Sequence, residues 1–134
     1  MTGIREMRTK AKRLGCLDVA NAYADTSLEF DAGEEIRDLN FRSQRVRTPK
    51  DAVVCSRNFI GEYNDYNSEV LEELTNGLDV GVIIGRSGSV SMYFTGKSRD
   101  LREVESRARG LRNSGWGEPS EIDMVGDELA IWWD

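Results

Sequence analysis

Three short clusters carry the residue types that chemistry needs. Gly85-Arg86-Ser87-Gly88 has the glycines and the cation of a phosphate cradle. It lacks the Gly-x4-Gly-Lys spacing of a P-loop, and a plain hairpin turn accounts for it equally. Glu69, Glu72 and Glu73 can chelate a hard cation, but their spacing is also that of an exposed helix face. Asp123, Asp127 and Glu128 flank a turn, with no third ligand fixed beside them. The 134 residues include no histidine. That removes imidazole acid–base catalysis, Ser-His and Cys-His nucleophile pairs and the commonest zinc ligand. No catalytic residue, metal or cofactor is assigned, and a non-enzymatic protein is expected. Carboxylate-based or metal-assisted hydrolysis is the weakest of three functional readings.

Cys16 and Cys55 are the only cysteines and lie far apart, so small buried thiols are expected rather than a disulfide framework. No apolar run approaches the roughly 20 residues that cross a bilayer. The basic N-terminus lacks the apolar core of a signal peptide, and a cytoplasmic location is the expectation.

The net charge of -6 conceals blocks. Residues 1–16 hold five bases and one acid, and 17–36 hold six acids and no base. Residues 37–57 hold six bases and two acids, whereas 113–134 hold six acids and no base. Such blocks are either solvated faces or surfaces segregated for a charged partner.

The elements that must position these residues are clearest between Val80 and Gly115. Val80, Val82, Ile83 and Ile84 are a strand signal, Arg86-Ser87-Gly88-Ser89 a turn, and Val90, Met92 and Phe94 the apolar face of a second strand. Asp100 and Glu103 have capping-box spacing, and Leu101, Val104, Ala108 and Leu111 form one helical stripe. Upstream, residues 3–14 read as a basic helix and Leu17 to Phe30 as a strand, with a helix competing because of the alanines. Glu34 to Ser43 reads as helical. Thr48-Pro49 can cap a helix or precede a strand, and Val53-Val54 favour a strand from Ala52 to Ile60. A loop over 61–67 leads to a short acidic helix, Ser68 to Asn76, closed by Gly77. Glu121 to Val125 and Glu128 to Trp133 read as two strands joined by a II′-type hairpin at Gly126-Asp127, or as one long strand with a bulge at Gly126. Trp132 and Trp133 then point to opposite faces, so one of them is expected to be poorly buried and to serve a partner or a second copy. The last strand is expected at a sheet edge.

This order resembles one repeat of the TATA-box-binding protein family, archaeal members especially. Ser87-Gly88, Thr95-Gly96, Lys97-Ser98 and the helix to Gly115 stand in the family's order, and Val19-Ala20-Asn21 is similar to its first-strand motif. Ile122 to Val125 looks like the opening of a second repeat. The family's intercalating Phe falls on Gly85 here, and the Lys after the turn is Ser89. The resemblance implies a curved antiparallel α+β sheet with two main helices on one face, plus a short N-terminal helix and the acidic helix as an insertion. The whole is expected to be a single domain over 1–134, with the basic helix in 1–16 and the sheet-and-helix core in 17–134. It implies nucleic-acid contacts from Asn21, Tyr23, Arg86, Ser89, Ser91, Tyr93 and Lys97. Asn21, Tyr23, Asp25, Ile83, Ser89, Ser91 and Tyr93 would share the concave face. A single repeat also needs a second copy to complete the saddle, so a homodimer through Trp132 or Trp133 is expected. The leading expectation is thus a TATA-box-binding-protein-like module in transcription-linked complexes. The alternative is a small acidic inhibitor or adaptor, of mobile-element or virus origin, that blocks a basic nucleic-acid-binding site on another protein.

Overall fold

In the computed structural model, residues 4–23, 40–112 and 114–134 are described. The elements run α1 (Ile4–Leu14), α2 (Leu17–Ala22), β1 (Asn40–Arg42), α3 (Pro49–Phe59), α4 (Ser68–Thr75), β2 (Val80–Ser87), β3 (Ser89–Gly96), α5 (Ser98–Leu111), β4 (Glu121–Val125) and β5 (Glu128–Trp133). The fold is α+β, with one five-stranded antiparallel sheet in the order β1-β2-β3-β5-β4.

One sheet face makes the core. Val82, Ile84, Val90, Met92, Phe94, Leu129, Ile131 and Trp133 alternate along three central strands and are all fully buried. The α2 and α3 helices pack against β2, and α5 packs against β3, β4 and β5. The stripe on α5 faces inward as expected: Leu101, Val104 and Ala108 are buried and Leu111 half-buried. Its cap differs. Lys97 is the N-cap residue and makes no side-chain capping bond, so Asp100 does not cap the helix and instead lies buried in its first turn.

Three local expectations are corrected. Residues 17–22 are helical rather than extended; the alanine-rich stretch buries Val19, Ala20 and Ala22 on one helical face. The 24–30 part of that expected strand lies outside the described residues, as does Asp25. Asn40–Arg42 is a strand, paired with Ser87, Arg86 and Gly85, where a helix had been expected to run to Ser43. Residues 34–39 of that helix also lie outside the described residues. Pro49–Phe59 is a helix, with Thr48 Oγ1 accepting from the Asp51 N–H and Pro49 at the first position. Ala52, Cys55, Ser56 and Phe59 are its buried i, i+3, i+4, i+7 stripe, which outweighs the β-propensity of Val53-Val54.

Cys16 and Cys55 form a disulfide with Cα atoms 5.5 Å apart, correcting the expectation of free thiols. It joins the start of α2 to α3. The expected edge strand is also corrected. The β4–β5 hairpin returns so that β5 lies between β3 and β4, and its edges are both occupied. Leu129, Ile131 and Trp133 give β5 a more apolar core face than Ile122 and Met124 give β4, which places β5 centrally. The turn itself follows the sequence: Gly126 has φ of 63° and Asp127 does not have positive φ, as a II′ hairpin requires.

Candidate functional site

The network that shapes one surface groove starts at Asp18. Its Oδ1 accepts from Arg47 Nη2 at 2.7 Å and its Oδ2 accepts from Ser43 Oγ at 2.6 Å. Arg47 is buried, and it also donates to Ser43 Oγ and to the Gly15 carbonyl. The Arg47 backbone exchanges two hydrogen bonds of 2.8 Å with Val82. A single salt-bridged cluster therefore fastens the α1–α2 corner to the sheet. Burial alone would raise the Asp18 carboxyl, but the hydrogen bonds from Ser43 and Arg47 and the Arg47 charge hold it below the usual aspartate value. A depressed carboxyl stabilises the fold above its unfolded value of about 4 and loses that contribution as pH falls through the lower folded value. Stability of the wild type is therefore expected to fall more steeply below pH ~4 than that of Asp18→Asn, as read from urea midpoints along a pH series. Parallel curves for the two proteins would contradict this assignment.

Above that cluster lies a groove of about 650 Å³ lined by Lys12, Asn21, Phe41, Arg42, Gln44 and Arg45 among others. It continues into a second hollow of about 740 Å³ lined by Arg5, Arg8, Thr9, Lys12, Leu17 and Asn21. Arg5, Arg8 and Lys12 recur at i, i+3 and i+7 and are exposed on α1, while Met7, Ala11 and Leu14 turn toward the core. The two basic blocks of the sequence meet here. Arg45 is held by donating to the Gly15 carbonyl at 2.8 Å, and Arg42 by a bidentate pair with Glu128, one bond of which is 2.9 Å.

The structure does not bring the nominated nucleic-acid residues together. Asn21 is exposed and lines the groove. Tyr23 is fully buried at the end of α2 and donates its hydroxyl to the Gly85 carbonyl. Burial pushes its pKa well up, against the opposing Arg86 charge. Arg86 is buried as well, because β2 runs on to Ser87 and puts Arg86 on the core face with Val82 and Ile84. It donates to the Ala22 carbonyl at 2.8 Å and lies over the Tyr23 ring at 5.0 Å. The placement of Tyr23 and Arg86 on a DNA-facing surface is thereby corrected.

Ser89, Ser91 and Tyr93 do share the opposite face with Ile83, as alternation requires, and no helix of the described residues packs there. Ser89 Oγ donates to Asp134, Ser91 is buried, and Tyr93 is half-buried under the Arg42 guanidinium, 4.7 Å from its ring centre. A Cβ at Gly85 would lie 2.6 Å from a Tyr93 ring carbon, so the position that is Phe in the family resembled has no room here even for a methyl. Lys97 is exposed at the start of α5 and lines neither the groove nor the hollow over Ala130. Trp132 is half-buried on the open face and donates Nε1–H to the Ser87 carbonyl at 3.0 Å, whereas Trp133 is in the core.

Open-face residues run in rows across the strands. Arg42, Gly85, Ser91, Trp132 and Glu121 make one row, and Ile83, Tyr93, Ala130 and Asp123 the next. A shallow hollow of about 240 Å³ lies over Ala130, bounded by Tyr93, Trp132, Glu121 and Asp123. No family model, curated protein or solved structure matches the chain. The likeness to TATA-box-binding proteins thus rests on the short motifs alone. Glu72 of the acidic helix pairs with Arg57 at 3.5 Å, and Glu128 with Arg42, so neither carboxylate cluster of the sequence converges. Among the described residues no three acidic or cysteine side chains gather into a metal site, and no helix is long and apolar enough to cross a membrane.

The groove cations were visible only as two separate charge blocks. The signal that would have joined them is the burial of Arg47 against Asp18, which no local pattern announces.

Proposed function

We propose that the protein is a non-enzymatic binding module that holds nucleic acid by its phosphate backbone, in the groove between α1, α2 and the 40–47 segment. The observation that carries this reading is the meeting of Arg5, Arg8 and Lys12 with Arg42 and Arg45 around one groove, in a chain of net charge -6. At 1.5 Å rise per residue, Arg5 and Lys12 stand roughly 10 Å apart along α1, a span that meets more than one phosphate. Asn21 and Gln44 add neutral donors to the same walls. Contacts of this kind position a backbone and do not read bases.

The TATA-box-binding-protein-like expectation keeps its ligand class here and changes its surface. The open sheet face carries Glu121, Asp123 and Glu128 with Arg42 among them, a balance that repels phosphate. With about four phosphates neutralised, affinity for duplex or single-stranded nucleic acid is expected to fall about a hundredfold between 50 and 200 mM salt. The double substitution Arg5→Glu, Lys12→Glu should weaken binding more than tenfold and flatten that slope, while Trp132→Ala leaves both unchanged. Absence of binding to any nucleic acid at low salt would remove the reading.

A cytoplasmic location remains part of the proposal, with a condition. A buried Cys16–Cys55 bond persists only where thiols stay oxidised, or in cells whose cytoplasm tolerates disulfides.

One observation favours a second reading, that of an acidic inhibitor or adaptor for a protein with a basic nucleic-acid-binding site. Among the described residues, Glu121 and Asp123 of the C-terminal hairpin have no cation partner, in a stretch of the sequence with six acids and no base.

A further inference from the structure

We infer that the β4 edge, with the open sheet face beside it, docks an extended segment of a partner protein bearing arginine or lysine at alternate positions. The inference rests on the second reading above, the acidic adaptor, and specifies its surface and the chemistry of its ligand.

The edge comes first. Among the described residues, β4 is the last strand of the sheet and β5 is its sole neighbour. A two-residue hairpin makes Val125 and Glu128 a pair that exchanges both backbone hydrogen bonds. Alternation then turns the N–H and C=O of Ile122 and Met124 outward, away from β5. Met124 and Val125 are 46% and 60% exposed. The strand has no proline, lysine or bulge, the usual devices that blunt an edge.

Charge then selects the occupant. Antiparallel pairing of β4 with the β4 of a second copy, centred on Asp123, sets Asp123 against itself. Centring it on Ile122 sets Glu121 against Asp123 twice. Like charges directly opposite are destabilising, so both of these registers disfavour a second copy, whereas a strand with cations at those places is favoured.

The hollow over Ala130 supplies the receptor. The small Ala130 side chain leaves a floor between two aromatic rings, Tyr93 and Trp132, and two carboxylates, Glu121 and Asp123. Rings and carboxylates together suit a guanidinium or ammonium group. The protein already uses this chemistry one step away. Arg42, from β1 at the other edge, reaches across β2 to lie over Tyr93 and ends on Glu128 of β5. A basic side chain from a strand added at β4 would need only to cross β4 to reach Ala130, a shorter path than the one Arg42 takes.

The test measures fluorescence polarisation of a labelled peptide of alternating arginine and valine against the intact protein. A control peptide has the same composition with its arginines in one block. The alternating peptide is expected to bind at least tenfold more tightly than the block peptide, and to change Trp132 emission. Glu121→Gln with Asp123→Asn should cost at least tenfold. Met124→Pro should cost as much, because it removes an outward N–H and leaves the β4–β5 ladder intact. Should Met124→Pro disturb the circular dichroism spectrum, Met124 N-methylation by protein semisynthesis replaces it as the edge-blocking variant. Equal binding of both peptides, indifferent to edge blocking, would overturn strand addition while leaving the acidic-adaptor reading standing. Failure of every cationic peptide would overturn both, and so would a wild-type protein that forms β4-paired dimers by light scattering and excludes the peptide.

Discussion

Reduction of the Cys16–Cys55 bond is expected to lower the unfolding free energy by about 4 kcal/mol, the chain-entropy value for a loop of this length. The two cysteines are 39 positions apart, and both lie in the core. The native side of the argument points the same way. Through Met7, Ala11 and Leu14, α1 offers the core a narrow face, and α2 is six residues long. Neither helix holds itself by local propensity. The bond pins their junction to α3, alongside the Asp18–Arg47 cluster. The urea midpoint should therefore drop sharply on adding reductant. The double variant Cys16→Ala, Cys55→Ala should show the same drop and no further response. Because α1 forms one wall of the basic groove, nucleic-acid retention should weaken with it. A midpoint indifferent to reductant would show that the helices are held without the bond.

Trp133→Ala is expected to cost about 3–5 kcal/mol, the range for emptying a buried aromatic site. Trp133 has no exposed surface, meets the Tyr66 ring edge-on at 5.0 Å between centres, and donates Nε1–H to the Gly117 carbonyl at 2.9 Å. Its loss opens a cavity beside Tyr66, whose own hydroxyl is bonded to Ser56 at 2.6 Å, and leaves Gly117 without that donor. Trp133→Phe should recover most of the loss and retain about 1 kcal/mol for the missing hydrogen bond. Trp132→Ala, on the open face, should cost no more than about 1 kcal/mol. Guanidinium midpoints of the three variants separate these cases. Similar losses at Trp132 and Trp133 would show that the faces of β5 have been assigned wrongly.

The difference between the two tryptophans was half legible. Strict alternation from Leu129 onward forces Trp132 and Trp133 apart, and it places Trp133 with Leu129 and Ile131. What alternation does not say is where the strand sits among its neighbours. The end of a chain is not the edge of a sheet. That expectation failed because a hairpin can fold back into the gap beside β3, and the more apolar strand gains most by doing so. The same limit explains Arg86. A charged residue after Val82 and Ile84 reads as the start of a turn, until Tyr23 and the Ala22 carbonyl arrive from α2 to receive it.

The sequence by itself determined the elements from Ser68 to Trp133: the capped acidic helix, the β2–β3 hairpin, the α5 stripe and the II′ turn at Gly126. Each is decided within a few residues, by periodicity and by which residue tolerates an unusual φ. Tertiary structure decided what those signals leave balanced. It chose helix for 17–22 and 49–59, where alanine and valine pull in opposite directions and burial of one stripe settles the contest. It chose the strand order, the Cys16–Cys55 pairing and the meeting of the 1–16 and 37–57 basic blocks in one groove. These join residues tens of positions apart. Their free energy comes from surfaces brought together by the whole fold, and no local window of the chain contains both sides of such a contact.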